Sequence, residues 1–262
     1  MTEFVIARNM LLHLLRFAGQ RGLDLEHLYV RLGLAEAGDM IPFASFAHVA
    51  EAVAGPEPDV TGLYMGSQLN VAALGIVGQL IQHSRTIREA LTLASDRFNL
   101  ISNVLKLDLE EGEEIMRLVF SVNADCMARY PETCRMLLAS SMTFAWMEVE
   151  YLTLKQVQPL SVHWPIKPVD PAPFEKTFGL GGQFGAEGYT LVFPASVLEL
   201  PIVYADYALL MRMEALACSR LQAVQGEAAT FTDKVRRLVY GLIDPGFPSL
   251  DTLAGHLHLT TR

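Results

Sequence analysis

The chain has 262 residues, 51% of them hydrophobic and 19% charged, a balance that excludes intrinsic disorder and is enough for one large domain, or a domain and a fragment of another, without a disulfide or metal staple. Twenty Lys and Arg against 29 Asp and Glu leave a formal charge of −9, the wrong sign for a chain whose main surface neutralises phosphate. Cys126, Cys134 and Cys218 are odd in number and lack CxxC spacing, so they read as reduced thiols of a cytoplasmic protein, with no structural metal and no cofactor implied.

In chain order, residues 4–18 carry apolar side chains at helical spacing, ended by Gly19 and Gly22. This start lacks a basic leader and a small-residue cleavage site, so it reads as an amphipathic helix and not as a signal peptide. A short helix is expected from Leu25 to Leu32, and a third after Ile41-Pro42 with Ser45 as its cap. From Val60 to Ser84 no Asp, Glu, Lys or Arg occurs. That is long enough to span a bilayer, but Ser67, Gln68, Asn70, Gln79 and several glycines would be costly in hydrocarbon, so buried structure and no membrane span is expected. Thr86-Ile87-Arg88-Glu89 has the form of a capping box opening a helix to about Ile101.

The period then changes. Val104–Glu110 alternates and Ile115–Val122 is rich in β-branched and aromatic residues, with Glu111-Gly112-Glu113 between them, which predicts a β-hairpin. Tyr130-Pro131-Glu132 places Pro and a carboxylate at the start of a long helix running towards Lys155. Strands are expected at Ser161–Trp164 and Tyr189–Phe193, separated by a short helix near Pro173–Phe178 and a glycine-rich loop. The order predicts an α+β fold, a helical N-terminal half packed on a small antiparallel or mixed sheet with further helices.

Tyr204–Val224 reads as a helix with more apolar surface than one buried stripe requires, since Leu209 and Leu210 point about 100° apart. It fits a homodimer surface, and it also fits a linker helix buried on both sides within one chain. After a soft segment, Gln225–Thr230, another helix is expected at Asp233–Ile243. Ser249 would then cap a helix with Leu250, Leu253, Ala254 and Leu257 inward, followed by a turn at His258, an anchor at Leu259 and a second cap at Thr260. This is the first half of a helix-turn-helix, or an ordinary amphipathic helix.

Taken together the chain resembles the AraC family of bacterial transcription regulators, in the branch with the long "arabinose-binding" type N-terminal domain. The residues that carry the resemblance are Arg31–Leu34 leading into Met40–Phe43, Leu80–Leu91, His163–Pro165 with Phe174–Gly179, Phe184-Gly185, Leu191–Phe193 and Pro248–Ala254. It implies three parts: a ligand-sensing domain over 1–200, a linker and dimerisation helix over 201–230, and the start of a DNA-binding domain over 231–262. It also implies a small-molecule effector, with promoter DNA bound through the C-terminal domain. His258 stands where the family usually has Gly in a left-handed turn, a conformation His adopts at some cost. Arg262 falls inside the first helix-turn-helix, so the resemblance carries over no base-reading residues, and specific DNA binding by residues 1–262 is not expected.

Catalytic signals are weak. Gly179–Gly185 resembles a phosphate-binding loop but lies between helix and strand in the wrong order. Glu110, Glu111, Glu113 and Glu114 sit at a hairpin tip, and Glu148 and Glu150 do not share a helix face. His256 and His258 read as surface residues, and Ser140, Ser141 and Ser161 have no nucleophile elbow around them. No enzyme is expected; the rival reading is a stand-alone carrier or enzyme that uses the α+β domain as a small-molecule site. A ligand pocket is expected among Phe98, Asn99, Phe144, Trp146, His163 and Trp164, aromatic surface with a few polar groups. Phe144 and Trp146 also fit plain core, and His163 fits a satisfied histidine.

Overall fold

The computed structural model describes residues 3–23, 38–225 and 249–256, together with Val235 and Val239. The expected helices at Leu25–Leu32 and Asp233–Ile243, and the turn from His258 onward, lie outside the described residues apart from those two valines. The fold is α+β, with ten helices and two small sheets among the described residues.

The first strand, β1 (Val5–Ala7), pairs antiparallel with β2 (Met40–Pro42). Here the structure corrects the expected helix over residues 4–18: α1 spans Arg8–Gln20 and begins only after the strand. The cause is long-range. Val5 N–H donates to Asn103 Oδ1 at 2.8 Å, Ala7 N–H to Ile101 O at 2.7 Å, and Phe43 N–H to Phe4 O at 2.7 Å. These bonds satisfy an extended backbone from the far end of the domain and override a local helical period.

Helix α2 (Phe43–Ala54) starts directly after Pro42, so Ser45 lies in its first turn and is not the cap. Helix α3 (Pro58–Gln68) has Pro at its start and Asp59 in its first turn. The uncharged stretch then folds through a 3-10 turn, Val71–Leu74, into α4 (Ile76–His83). Helix α5 (Ile87–Asp96) is capped by Thr86, whose Oγ1 accepts from Glu89 N–H at 3.3 Å. The Glu89 carboxylate reaches back to Arg85 N–H at 2.7 Å, one residue before the position an ideal capping box would use. The helix stops short of Ile101, and a 3-10 turn follows at Phe98–Leu100.

The hairpin forms as expected from β3 (Leu105–Glu111) and β4 (Ile115–Val122), with Leu105 opposite Val122 and Glu111 opposite Met116. A short helix not expected from the sequence, α6 (Ala124–Arg129), is capped by the Asn123 side chain. The long helix α7 (Pro131–Thr153) begins at the predicted proline and ends at Leu154 in a left-handed conformation, φ 51°. The strands β5 (Ser161–Trp164), β6 (Gln183–Phe184) and β7 (Tyr189–Pro194), with α8 (Ala172–Phe178) between the first two, complete the larger sheet. Its order is β3-β4-β7-β5-β6, antiparallel throughout except for the parallel β5–β6 pair, hence mixed.

Helix α7 is the axis of the core, and α3 lies against it closely enough for backbones to touch. A Cβ added at Gly62 would fall 2.3 Å from Met136 O, and one at Gly66 would fall 2.3 Å from Ser140 O. The ion pair of buried Asp59 with Arg135, including Arg135 Nε to Asp59 Oδ1 at 3.2 Å, ties the start of α3 to α7. Helix α9 (Tyr207–Gln225) lies outside this core, and Leu80 of α4 meets its Leu210 and Ala217 in a separate small apolar cluster. In α10 (Leu250–His256), Ser249 Oγ accepts from Thr252 N–H at 3.1 Å, the cap expected there. Leu253 and Ala254 are half-buried and Leu250 is exposed.

Candidate functional site

On the inner face of α7, Ser141, Phe144, Ala145, Glu148, Val149 and Leu152 follow one another at helical spacing and look into a cavity of about 70 Å³. Ile87, Ala90, Leu91 and Ala94 of α5 face them across it. The hairpin closes one side with Leu105, Leu107 and Phe120, while Phe98, Ile101 and Ser102 close the end nearest the 3-10 turn. Leu69, Leu74 and Ile81 also line the cavity, and Ile6 and Met10 complete the lining. Ile6 reaches the cavity from strand β1.

Almost all of this lining is apolar. Ser102 is already engaged, donating to Val5 O and accepting from Val104 N–H at 3.0 Å each. Ser141 and Glu148, seven residues apart and so on one face of α7, have no hydrogen-bond partner among the described residues. Burial pushes the Glu148 carboxyl up to about 7, with no compensating cation among the described residues. Leu69, Glu148 and Leu152 also line a more polar cleft of about 390 Å³, whose other walls include Gln68, Asn70, Gln82 and Tyr151. Glu148 therefore stands on the partition between an apolar chamber and a polar one.

Of the residues expected to form a pocket, Phe98 and Phe144 meet in this cavity, and Asn99, Trp146, His163 and Trp164 are not in its lining. Asn99 is exposed on the 3-10 turn. Trp146 points elsewhere on α7, its Nε1–H donating to Val157 O at 2.7 Å and its ring 5.8 Å from that of Phe178. His163 Nε2 lies 3.2 Å from Ser161 Oγ, on the sheet. Trp164 is fully buried between Phe174 and Tyr189, edge-on to both at 4.8 and 5.1 Å. Sequence reasoning weighed Glu148 only as a partner for Glu150. The overlooked signal was a carboxylate in the stripe Ser141, Ala145, Glu148, Leu152, where each neighbour is small or apolar.

One wall of the cavity is also a seat for α9. Ile81 of α4 lines the cavity and its neighbour Leu80 packs on Leu210 and Ala217. Arg97, directly before cavity-lining Phe98, pairs with Glu214 of α9, and both are buried, at 8% and 6% exposure. Burial works against the Arg97 charge, but Glu214 and Cys218 outweigh it and raise the pKa above the ordinary arginine value. Among the described residues no three His, Cys, Asp or Glu side chains converge as a metal-ligand set, and no helix is long and apolar enough to cross a membrane.

Residues 22–202 match the family described as the arabinose-binding domain of AraC transcription regulator, N-term. The ornithine utilization regulator of Pseudomonas aeruginosa is 27% identical over 226 residues, 85% of this chain and 63% of that protein, so the chain spans under two thirds of the relative's length. The crystal structure of the transcriptional regulator CdpR from the same organism superposes with a TM-score of 0.65 at 18% identity, over 95% of this chain and 74% of that one, a likeness of fold. The match over residues 22–202 covers well over half of the chain, which belongs to the family of AraC transcription regulators with an arabinose-binding type N-terminal domain.

Proposed function

We propose that the chain is the effector-sensing and dimerisation part of a cytoplasmic, ligand-responsive transcription regulator. In this reading residues 1–200 hold a small molecule, 201–230 link and pair two copies, and 231–262 open the DNA-binding domain through which the whole protein meets promoter DNA. The observation that carries it is the shared wall: α4 and the Arg97-Phe98 step contribute to a largely apolar cavity and to the seat of the helix leading toward Ser249. A molecule in the cavity touches the support of α9 without touching α9, which is what a sensor that biases two arrangements needs. The effector is placed against Phe98 and Phe144, while Asn99, Trp146, His163 and Trp164 serve the surrounding scaffold. The cavity is assigned binding and no catalytic step. The name of the Pseudomonas relative fits a sensor of nitrogen-containing metabolites.

Thermal-shift screening of small metabolites tests the reading, since a ligand at 100 times its dissociation constant adds about 2.7 kcal/mol. Compounds that stabilise the parent are expected to lose their effect in Ala94→Phe, which fills the cavity. A compound that stabilises both chains equally binds elsewhere and refutes the placement.

A further inference from the structure

We propose that the cavity takes an aliphatic amine, its apolar body between α5 and α7 and its ammonium on the Glu148 carboxylate, at the partition with the polar cleft. The assignment rests on the reading of this cavity as the effector site.

Three observations converge on the head group. The Glu148 carboxylate has no partner among the described residues although it sits on an apolar wall, and a half-buried unpaired charge is costly until a counter-charge arrives. Second, no Lys, Arg or His occurs among the described linings of either chamber. A ligand headed by a carboxylate would bring a second negative charge beside Glu148 with nothing to neutralise either, whereas an ammonium neutralises the one already there and makes a charge-assisted hydrogen bond. Third, the two chambers differ in kind across Glu148. The inner one offers hydrocarbon, so the chain goes inward; the outer one offers the side-chain amides of Gln68, Asn70 and Gln82, whose oxygens can accept the remaining ammonium hydrogens directly or through water. The burial that lifts the Glu148 carboxyl is the same desolvation that an ammonium would offset.

Calorimetric titration of residues 1–262 at pH 8 with hexylamine, 1-hexanol and hexanoate tests this, the three sharing a body and differing in the head. Hexylamine is expected to bind most tightly and hexanoate least. Glu148→Gln, which keeps shape and removes charge, is expected to weaken hexylamine about tenfold or more and to leave 1-hexanol within about twofold. Hexanoate binding more tightly than hexylamine, hexylamine indifferent to Glu148→Gln, or no binding of any of the three overturns the amine assignment. The cavity reading fails separately. If Ala94→Phe, or Ser141→Leu should the first variant fold poorly, abolishes binding of amine and alcohol alike, the cavity stands whatever the head group. If both variants bind as the parent does, the cavity is not the site.

Discussion

Arg97 and Glu214, 117 residues apart in sequence, form an ion pair buried between the end of α5 and the middle of α9. Sγ of Cys218, one turn further along α9, lies 3.6 Å from the same guanidinium nitrogen. A buried pair adds little over a well-packed apolar substitute, but removing one member strands the other. Glu214→Ala is expected to weaken the docking of α9 by about 3 kcal/mol, seen as amide hydrogen exchange from Leu210 to Leu221 faster by about 100-fold, while Arg97→Met combined with Glu214→Leu recovers most of the loss. Unchanged exchange in the single variant would remove the pair from any role in seating α9.

Glu148 gives a pH dependence whose sign is fixed. Its folded pKa, about 7, lies above the ordinary 4.5, so between those values the folded state holds the extra proton. The contribution is full below about 4.5 and lost as pH rises towards 7. The titratable groups sharing the walls of its two chambers are Tyr151 and Tyr204 alone among the described residues. Glu148→Gln should therefore gain more on the parent at pH 8 than at pH 5, by on the order of 2 kcal/mol after allowance for solvent. Urea denaturation at the two pH values measures it, and a gain that is the same at both contradicts the assignment.

The contact of α3 with α7 should tolerate no side chain at Gly66. An added Cβ lies 2.3 Å from Ser140 O and 2.9 Å from Ser140 Cα, backbone atoms that cannot step aside. Gly66→Ala is expected to cost about 1–3 kcal/mol as overpacking. Gly19→Ala, near the end of α1 with nothing within 4 Å, should instead gain up to about 1 kcal/mol. Melting temperatures that rise for both would show that the helices can separate.

On α9 the face away from the seat carries Leu216, 44% exposed. If this face pairs two copies, sedimentation equilibrium at micromolar concentration gives the mass of two chains, and Leu216→Glu returns it to one without altering the circular dichroism. Met213 is the poorer probe because it packs against the Leu80 cluster. A parent that sediments as one chain across the range ends the dimer reading.

What the sequence announced, it announced through local chemistry. Thr86 is a cap because its hydroxyl meets a backbone N–H three residues on, Pro131 opens α7 because it lacks an N–H there to lose, and the alternation around Glu111-Gly112-Glu113 folds back on itself. Strand β1 was hidden because the bonds that hold it come from Asn103 and Ile101, and nothing within residues 4–18 reports them. The site was half legible for a similar reason. Phe98 and Phe144 could be picked out as aromatic, but only the superposition of turns on α7 separates Trp146, which together with Glu150 secures the backbone of Val157, from Glu148, two residues away and facing the cavity.

Leu80 and Ile81 are consecutive on α4, one packed under α9 and the other lining the cavity. Coupling of this kind runs equally in both directions: by whatever factor an occupant of the cavity favours the seated helix, the seated helix favours the occupant. If a small molecule in the cavity favours the seated helix, an arrangement that draws α9 away from Leu80, whether by mutation or by a partner, loosens that molecule by the same factor. On the proposed reading the chain would have two affinities for an occupant of the cavity, one for each position of a helix that lines no part of it, and their ratio would measure how much of the binding signal is available to move α9.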